Sequence, residues 1–600
     1  MKRTAAVLLF GAILLNIMCG LSSHKIQSLN GVWLFRYDPE RRGDEAGYFR
    51  PDFPRNDWQK VRIPAFWDDP RYDGLGWYCL NFQIAYSLRK KPLALVFDAV
   101  DDYAIIYLNG KKIYEHRGAG IDFYIPVTPY LKPDTENCLV VRIIEDTGGA
   151  GGINGKVCLK SYTDECELYR TEYSNSHALP APQWLDRAVI YEIFPRAFTA
   201  RGDLKSIIAA LPDLEKLGIN CLWVMPIFPI GEQNRKGHWG SPYASRDYFL
   251  IDPRLGTNHD FQQLVNAAHA RGMRVILDIA CNHCAWDNRL LKEHPEWFTT
   301  DAAGNIITPN DDWADVADFN YSNPALSAYM WSVLEYWVRN FNIDGYRLDV
   351  AELVPDDFWM TALKRLQRLK PDVLMLAEGE HPRLHLKGFH LTYAWNTRRT
   401  LYRIIKQNAS AEQLLMTLER EQYRYPQGAR RMRFIENHDE ERAVSLFGRQ
   451  ASQTAAVLCF TLPGIPMLYA GQEIGVSIKP SLFEKSTIDW QDRDSGISDF
   501  YADLIHLRQN TPALQTGEFL PLKNSQPDAL VTFLRYNSDE IIMVVANLKE
   551  KPIKAQLELP PNLPINRSWK LLLGDARVRK QGDTLTIKCQ AWEWAIFKSD

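Results

Sequence analysis

Charge of either sign is scarce in excess: 70 Lys and Arg stand against 73 Asp and Glu in 600 residues, a net charge of -3. No basic field exists to draw the chain onto nucleic acid. Cysteine is sparse, with 10 residues in no dense framework. Cys281 and Cys284 form a lone CxxC without a second pair at zinc-like spacing, so buried free thiols are expected. The apolar run over residues 5–18 is too short and too early for a membrane span. Behind Lys2 and Arg3 it reads as an export signal over residues 1–22. Cys19 follows where a bacterial lipoprotein carries its lipid, although Asn16, Ile17 and Met18 replace the small residues usual there. The expected location is secreted, periplasmic or a cell-surface lipoprotein of a bacterium, with a lipid anchor at Cys19 the only membrane link.

What is present is patterned. Aromatics make up 12% of the chain, including 18 Trp, which suits large cores or platforms for the apolar faces of sugars. Residues 26–146 alternate short β-rich runs with turn signals, among them the hairpin pair Asn109-Gly110, and predict a β-sandwich. Glycines at 148, 149, 151 and 152 break the periodicity, and a polar stretch follows, so residues 147–184 read as a linker. Over residues 185–514, β-like runs alternate with helical periods, and eight such runs predict a (β/α)8 TIM barrel. An irregular stretch rich in Asp, Asn, Trp and Pro, residues 283–323, predicts a loop subdomain after the third strand. Residues 515–600 return to short strands and predict a C-terminal β-sandwich.

In such a barrel the reacting groups sit where strands end. After the third run come Asp278, Asn282 and His283; the fourth ends Gly345-Tyr346-Arg347-Leu348-Asp349; the fifth ends at Glu378; the seventh leads into Glu436-Asn437-His438-Asp439. Hydrolysis of a glycoside with retention needs one carboxylate to attack the anomeric carbon and a second, about 5–5.5 Å away, to protonate the leaving oxygen. Asp349 and Glu378, on adjacent strands, suit those roles. Arg347 shares a face with Asp349, and its fixed charge is expected to keep Asp349 ionised while Glu378 stays protonated. His283 and His438 suit sugar hydroxyls beside the scissile bond. Asp439 suits hydroxyls whose contacts tighten as the ring flattens. Glu352 and Glu380, close to the pair in sequence, read as supporting or rim groups.

These four clusters resemble, in order and placement, the four signature regions of glycoside hydrolase family 13, the α-amylase family. The resemblance implies Asp349 as nucleophile, Glu378 as acid/base and Asp439 as transition-state stabiliser, with Arg347, His283 and His438 around the reacting sugar. Tyr243 matches the family's aromatic platform, although Pro242 stands where a Gly usually precedes it. Asn282 matches a position that often ligates structural calcium, with Asp311, Asp312, Asp315 and Asp318 as neighbours to test. No cofactor is required by the chemistry. The front domain resembles the galactose-binding-like jelly roll of family 2 glycosidases, on Leu29-Asn30-Gly31-Val32-Trp33, Gly76-Trp77-Tyr78 and Tyr107-Leu108-Asn109-Gly110. The Asn-Glu pair of family 2 is absent from residues 345–352.

The expected function is a retaining hydrolase of α-glucosidic, chiefly α-1,4, bonds in starch-type glucans or maltooligosaccharides. A transglycosylase or an α-1,6-acting enzyme on the same residues is the alternative, and a silent glycan-binding barrel is the alternative of a different class.

Overall fold

The computed structural model describes residues 25–67, 74–100, 103–117, 123–145, 151–310, 312–560, 568–581 and 584–599. The expected export signal, Cys19, Asp311 and the glycines at 148 and 149 lie outside them. The chain divides into two compact units, with the boundary after Arg170.

The first unit is an antiparallel β-sandwich. Its six-stranded sheet runs Gln59–Ile63, Gly31–Tyr37, Gly74–Phe82, Asn137–Glu145, Tyr103–Leu108, Lys111–Arg117. The facing sheet runs Ile26–Ser28, Val157–Ser161, Leu93–Phe97, Phe123–Pro126. Trp33, Phe35, Leu95, Phe97 and Val141 fill the space between them. Asn109 and Gly110 both take positive φ, 54° and 82°, as the two-residue turn of a twisted hairpin requires.

One boundary needs correction. Residues 147–184 were expected to be a linker, yet Val157–Ser161 is an inner strand paired with both Leu93–Phe97 and Ile26–Ser28. Its five residues are too few to show alternation. Its only charged side chain, Lys160, is itself buried and satisfies its ammonium on the backbone oxygen of Glu167 at 2.9 Å. A lysine inside a core strand reads from sequence as polar linker.

The second unit begins with the barrel. Its strands are β1 (Ile190–Ile193), β2 (Cys221–Val224), β3 (Arg274–Ala280), β4 (Gly345–Asp349), β5 (Leu374–Ala377), β6 (Leu391–Tyr393), β7 (Arg430–Arg433) and β8 (Ile465–Tyr469). All are parallel and β8 closes on β1. The crossover helices have clear local causes. Leu204–Leu217 is capped by Asp203, buries Leu204, Ile207, Leu211 and Leu214 on one stripe, and stops at Gly218 with φ 94°, the left-handed stop that favours glycine. Asn258–His269 starts from a reciprocal Thr257 and Asp260 capping box.

The protruding segment after β3 is pinned at its two ends by a small antiparallel pair, His283–Ala285 with Val316–Asp318. The C-terminal sandwich follows, five strands facing three, over a core that includes Leu530, Met543, Leu557, Ile587 and Phe597.

Candidate active site

Strand alternation decides what the barrel holds. Ile190, Cys221, Ile276, Leu374 and Leu391 form part of an apolar interior cluster that is separate from the layer between strands and helices. Two residues further along, the same parity presents Glu192, Trp223, Asp278, Leu376 and Tyr393. On β4 it presents Arg347 and then Asp349, and beyond β5 it presents Glu378. Gly345 opens this series because β4 runs so close to β5 there that a Cβ would sit 2.2 Å from the Leu374 oxygen.

Arg347 is the centre of the site and is fully buried. Its Nη1 donates to Asp278 Oδ1 at 3.0 Å and Asp349 Oδ1 at 2.8 Å, and its Nη2 lies 2.9 Å from Glu378 Oε2. Its Nε donates to the Tyr393 hydroxyl at 3.1 Å. One planar cation therefore bridges three carboxylates, with Trp223 and Tyr243 rings beside it at 5.2 and 5.5 Å.

This changes the expected electrostatics. Arg347 does not single out Asp349 for ionisation, because Glu378 shares the same guanidinium. Burial, and then the neighbouring Glu378 charge, push Asp349 well above the ordinary carboxylate range, despite the pull of Arg347. Asp349 and Glu378 share one guanidinium, so the charge of either bears on the other.

The turn after the pair is held from both sides. Val350, directly after Asp349, sits at φ 38°, a left-handed conformation costly for a β-branched residue. In that conformation its N–H reaches Glu378 Oε2 at 2.8 Å. Glu352 Oε1 accepts the N–H groups of Glu380 and His381 at 2.7 and 2.9 Å. Glu380 itself turns to Arg399 and Arg431. Both glutamates thus shape the loop that carries Glu378.

The two histidines are opposites. Burial works against charge on His438, but Asp439 and Glu192 outweigh it and push His438 up to about 9. Its Nδ1 meets the Glu192 carboxylate, while its Nε2 lies 2.8 Å from the Tyr243 hydroxyl and 3.2 Å from Asp439 Oδ2. His283 has no such support. Burial pushes it down to about 4, and its Nε2 stands 3.9 Å from Asp349 Oδ2. Tyr243 also donates to Asp278 at 3.0 Å, so its ring is fixed at the cleft wall.

Tyr243, His283, Asp349, Glu378, His438 and Asp439 all line one cleft of about 320 Å³, with Arg347 beneath it. The same cleft is lined by Lys236, Trp313 and Phe483; Lys236 and Trp313 carry no local signal that places them there. Glu192, Trp223 and Tyr393 were also not foreseen, although barrel parity would have found them. Cys281 and Cys284 are buried free thiols, as expected of the lone CxxC.

Asn282 lies beside this site and gives its amide N–H to Asp318 Oδ1 at 3.4 Å, while Asp315 lies 3.6 Å from the Lys236 ammonium. Among the described residues no group of three or more His, Cys, Asp or Glu is arranged to hold a metal.

A closed parallel barrel with two carboxylates on neighbouring strand ends, bridged by a buried arginine, defines a glycoside hydrolase. The chain belongs to the α-amylase family: the model of the alpha amylase catalytic domain matches residues 167–314 and 310–509. A glycosyl hydrolase 2 galactose-binding domain-like model matches residues 76–150. Neopullulanase 2 of Thermoactinomyces vulgaris is 28% identical over 76% of this chain and 86% of its own length. Alpha-amylase 2 of Dictyoglomus thermophilum is 27% identical, covering 66% of this chain and 75% of its own. The crystal structure of a maltogenic alpha-amylase, AmyB, from Thermotoga neapolitana superposes with a TM-score of 0.65 at 33% identity, over 69% of this chain and 99% of that one.

Proposed function

We propose that the chain is a retaining hydrolase of α-1,4-linked glucans and maltooligosaccharides, with Asp349 as nucleophile and Glu378 as general acid and then base. The observation that carries this reading is the Arg347 bridge between Asp349 Oδ1 and Glu378 Oε2 on adjacent strand ends. The names of the relatives, neopullulanase and α-amylase, favour α-glucans as substrate.

In the first step Glu378 gives its proton to the glycosidic oxygen while an Asp349 oxygen attacks the anomeric carbon, and the bond to the leaving sugar breaks. Water then replaces Asp349 at that carbon as Glu378 takes its proton, which restores both groups. The charged His438 and the acceptor Asp439 grip hydroxyls of the reacting ring as it flattens, and neutral His283 donates or accepts there without adding charge. The Tyr243 ring packs against the sugar.

Incubation with starch, pullulan and maltooligosaccharides, followed by resolution of the products, tests the class. Products of retained α configuration are expected, and none with Asp349→Asn. Inverted products would defeat the mechanism.

No ion is required by this scheme, because both steps use only the two carboxylates and a water. Prolonged chelation is expected to leave the rate unchanged. Export follows from the sequence of residues 1–22, with lipidation at Cys19; the mass of the mature N-terminus tests both.

A further inference from the structure

The rim of the barrel mouth is uneven. The connections after β2, β3 and β8, residues 225–257, 281–323 and 470–494, are long, whereas β4 leads into a helix at Asp356 and β6 into one at Trp395. Strands β8, β1, β2 and β3 are consecutive around the barrel, so one side of the mouth carries a wall and the side above β4 to β6 is low.

The wall is fastened to itself. Trp239 N–H donates to the Phe483 oxygen at 2.8 Å, and His238 N–H to Glu484 Oε1 at 2.9 Å. Gly237, at φ 63°, leaves room for this contact: a Cβ there would sit 2.7 Å from Phe483. From below, the buried Arg196 after β1 holds the Gly240 oxygen at 3.0 Å and the Leu482 oxygen at 2.6 Å. Lys236 adds the third loop, reaching the Asp312 oxygen and Asp315, with its ammonium 5.8 Å from the Phe483 ring centre. A surface ion pair alone contributes little. Backbone hydrogen bonds, a buried guanidinium and a glycine-dependent contact at the same place make a fixed structure.

The wall has a definite relation to the reaction. Glu378 follows β5 and serves the leaving oxygen, so the leaving part of the substrate extends over the low side. The roles given above put the retained sugar at His438, Tyr243 and His283, and Lys236, Asp315 and Phe483 of the fastened loops are walls of that same cleft. We infer that the enzyme acts from chain ends, removing a short glucosyl unit of fixed length from the non-reducing end of a linear α-glucan.

This inference rests on the α-glucan reading above, and its test keeps the two apart. Three substrates are compared: a maltoheptaoside carrying a chromophore at its reducing end, the same molecule with its non-reducing end blocked by a 4,6-acetal, and a cyclodextrin. The free heptaoside should be cut to one short product from the earliest times, with the blocked and cyclic substrates slower by about tenfold or more, equivalent to a loss of about 1.4 kcal/mol or more in transition-state binding. A smaller difference overturns the inference and leaves the α-glucan reading intact. Failure to cut any of the three removes that reading, and this inference with it. Lys236→Met gives an independent check, since releasing the third loop should narrow the gap between free and blocked substrates; an unchanged gap would mean that Lys236 does not hold the wall in place.

Discussion

The interior of the barrel has two storeys built from the same strands. In the lower one Ile190, Cys221, Ile276, Leu374 and Leu391 pack without a polar atom beyond a thiol; in the upper one Glu192, Asp278, Arg347, Asp349 and Glu378 crowd carboxylates around one guanidinium. A step of two residues along a strand separates them. The lower storey can be satisfied by burial alone, at about 25 cal/mol per Å². The upper one concentrates charge where desolvation is costly, and it persists because Asp278, Asp349 and Glu378 share Arg347 while Glu192 pairs with His438. Stability and chemistry have been placed on one register of side chains at different heights.

The largest break in this comparison is expected from Asp349→Asn. It keeps the shape of the upper storey and removes the attacking oxygen, so kcat should fall by on the order of 10³-fold or more, with an unchanged circular dichroism spectrum. A near-normal kcat would remove Asp349 from the reaction. Next is Arg347→Lys. A single ammonium cannot reach Asp278, Asp349, Glu378 and Tyr393 together, so a loss of about 10²-fold is expected even though charge is conserved. Full activity in that variant would mean that charge, rather than the planar fork, is what the site needs.

Glu192→Gln should act more mildly and through pH. In the parent His438 remains charged until pH rises through about 9, so activity that needs the imidazolium is complete at lower pH and is lost on the alkaline side. Removing the Glu192 charge leaves Asp439 as its nearest remaining support. The alkaline limb of the kcat/KM profile should then move to lower pH with little change at the optimum. An unmoved limb would show that Glu192 does not sustain the charge on His438.

Much of this was legible in the sequence for a physical reason. Barrel strands are short apolar runs that end in polar groups, and Asp278, Arg347, Asp349 and Glu378 stand at such ends. His438 and Asp439 follow the seventh run in the same way. Glu192 was equally accessible, since it shares parity with Ile190. Other features were not local. The strand Val157–Ser161 hides a lysine whose partners are backbone oxygens, and the wall joins residues 236–240, 312–315 and 482–484 through contacts that no periodicity records. Arg347 was read as the partner of Asp349 from alternation on one strand; its claim on Glu378 arises only when β5 is laid beside β4.

The smallest effect on turnover is expected from the lower storey. Ile276 is fully buried and its parity carries it into the apolar interior, two residues before Asp278. Ile276→Ala should lower stability by about 2–5 kcal/mol, the usual cost of such a truncation, part of it from the cavity left behind. Denaturant unfolding would read that loss. The kcat of the folded fraction should stay within about twofold of the parent, because Asp278 is fixed independently by Arg347, Tyr243 and the Trp223 N–H at 3.0 Å. If instead kcat fell as far as in Arg347→Lys, the two storeys would be one mechanical unit, and the apolar layer would have to be counted among the groups that hold the carboxylates in register.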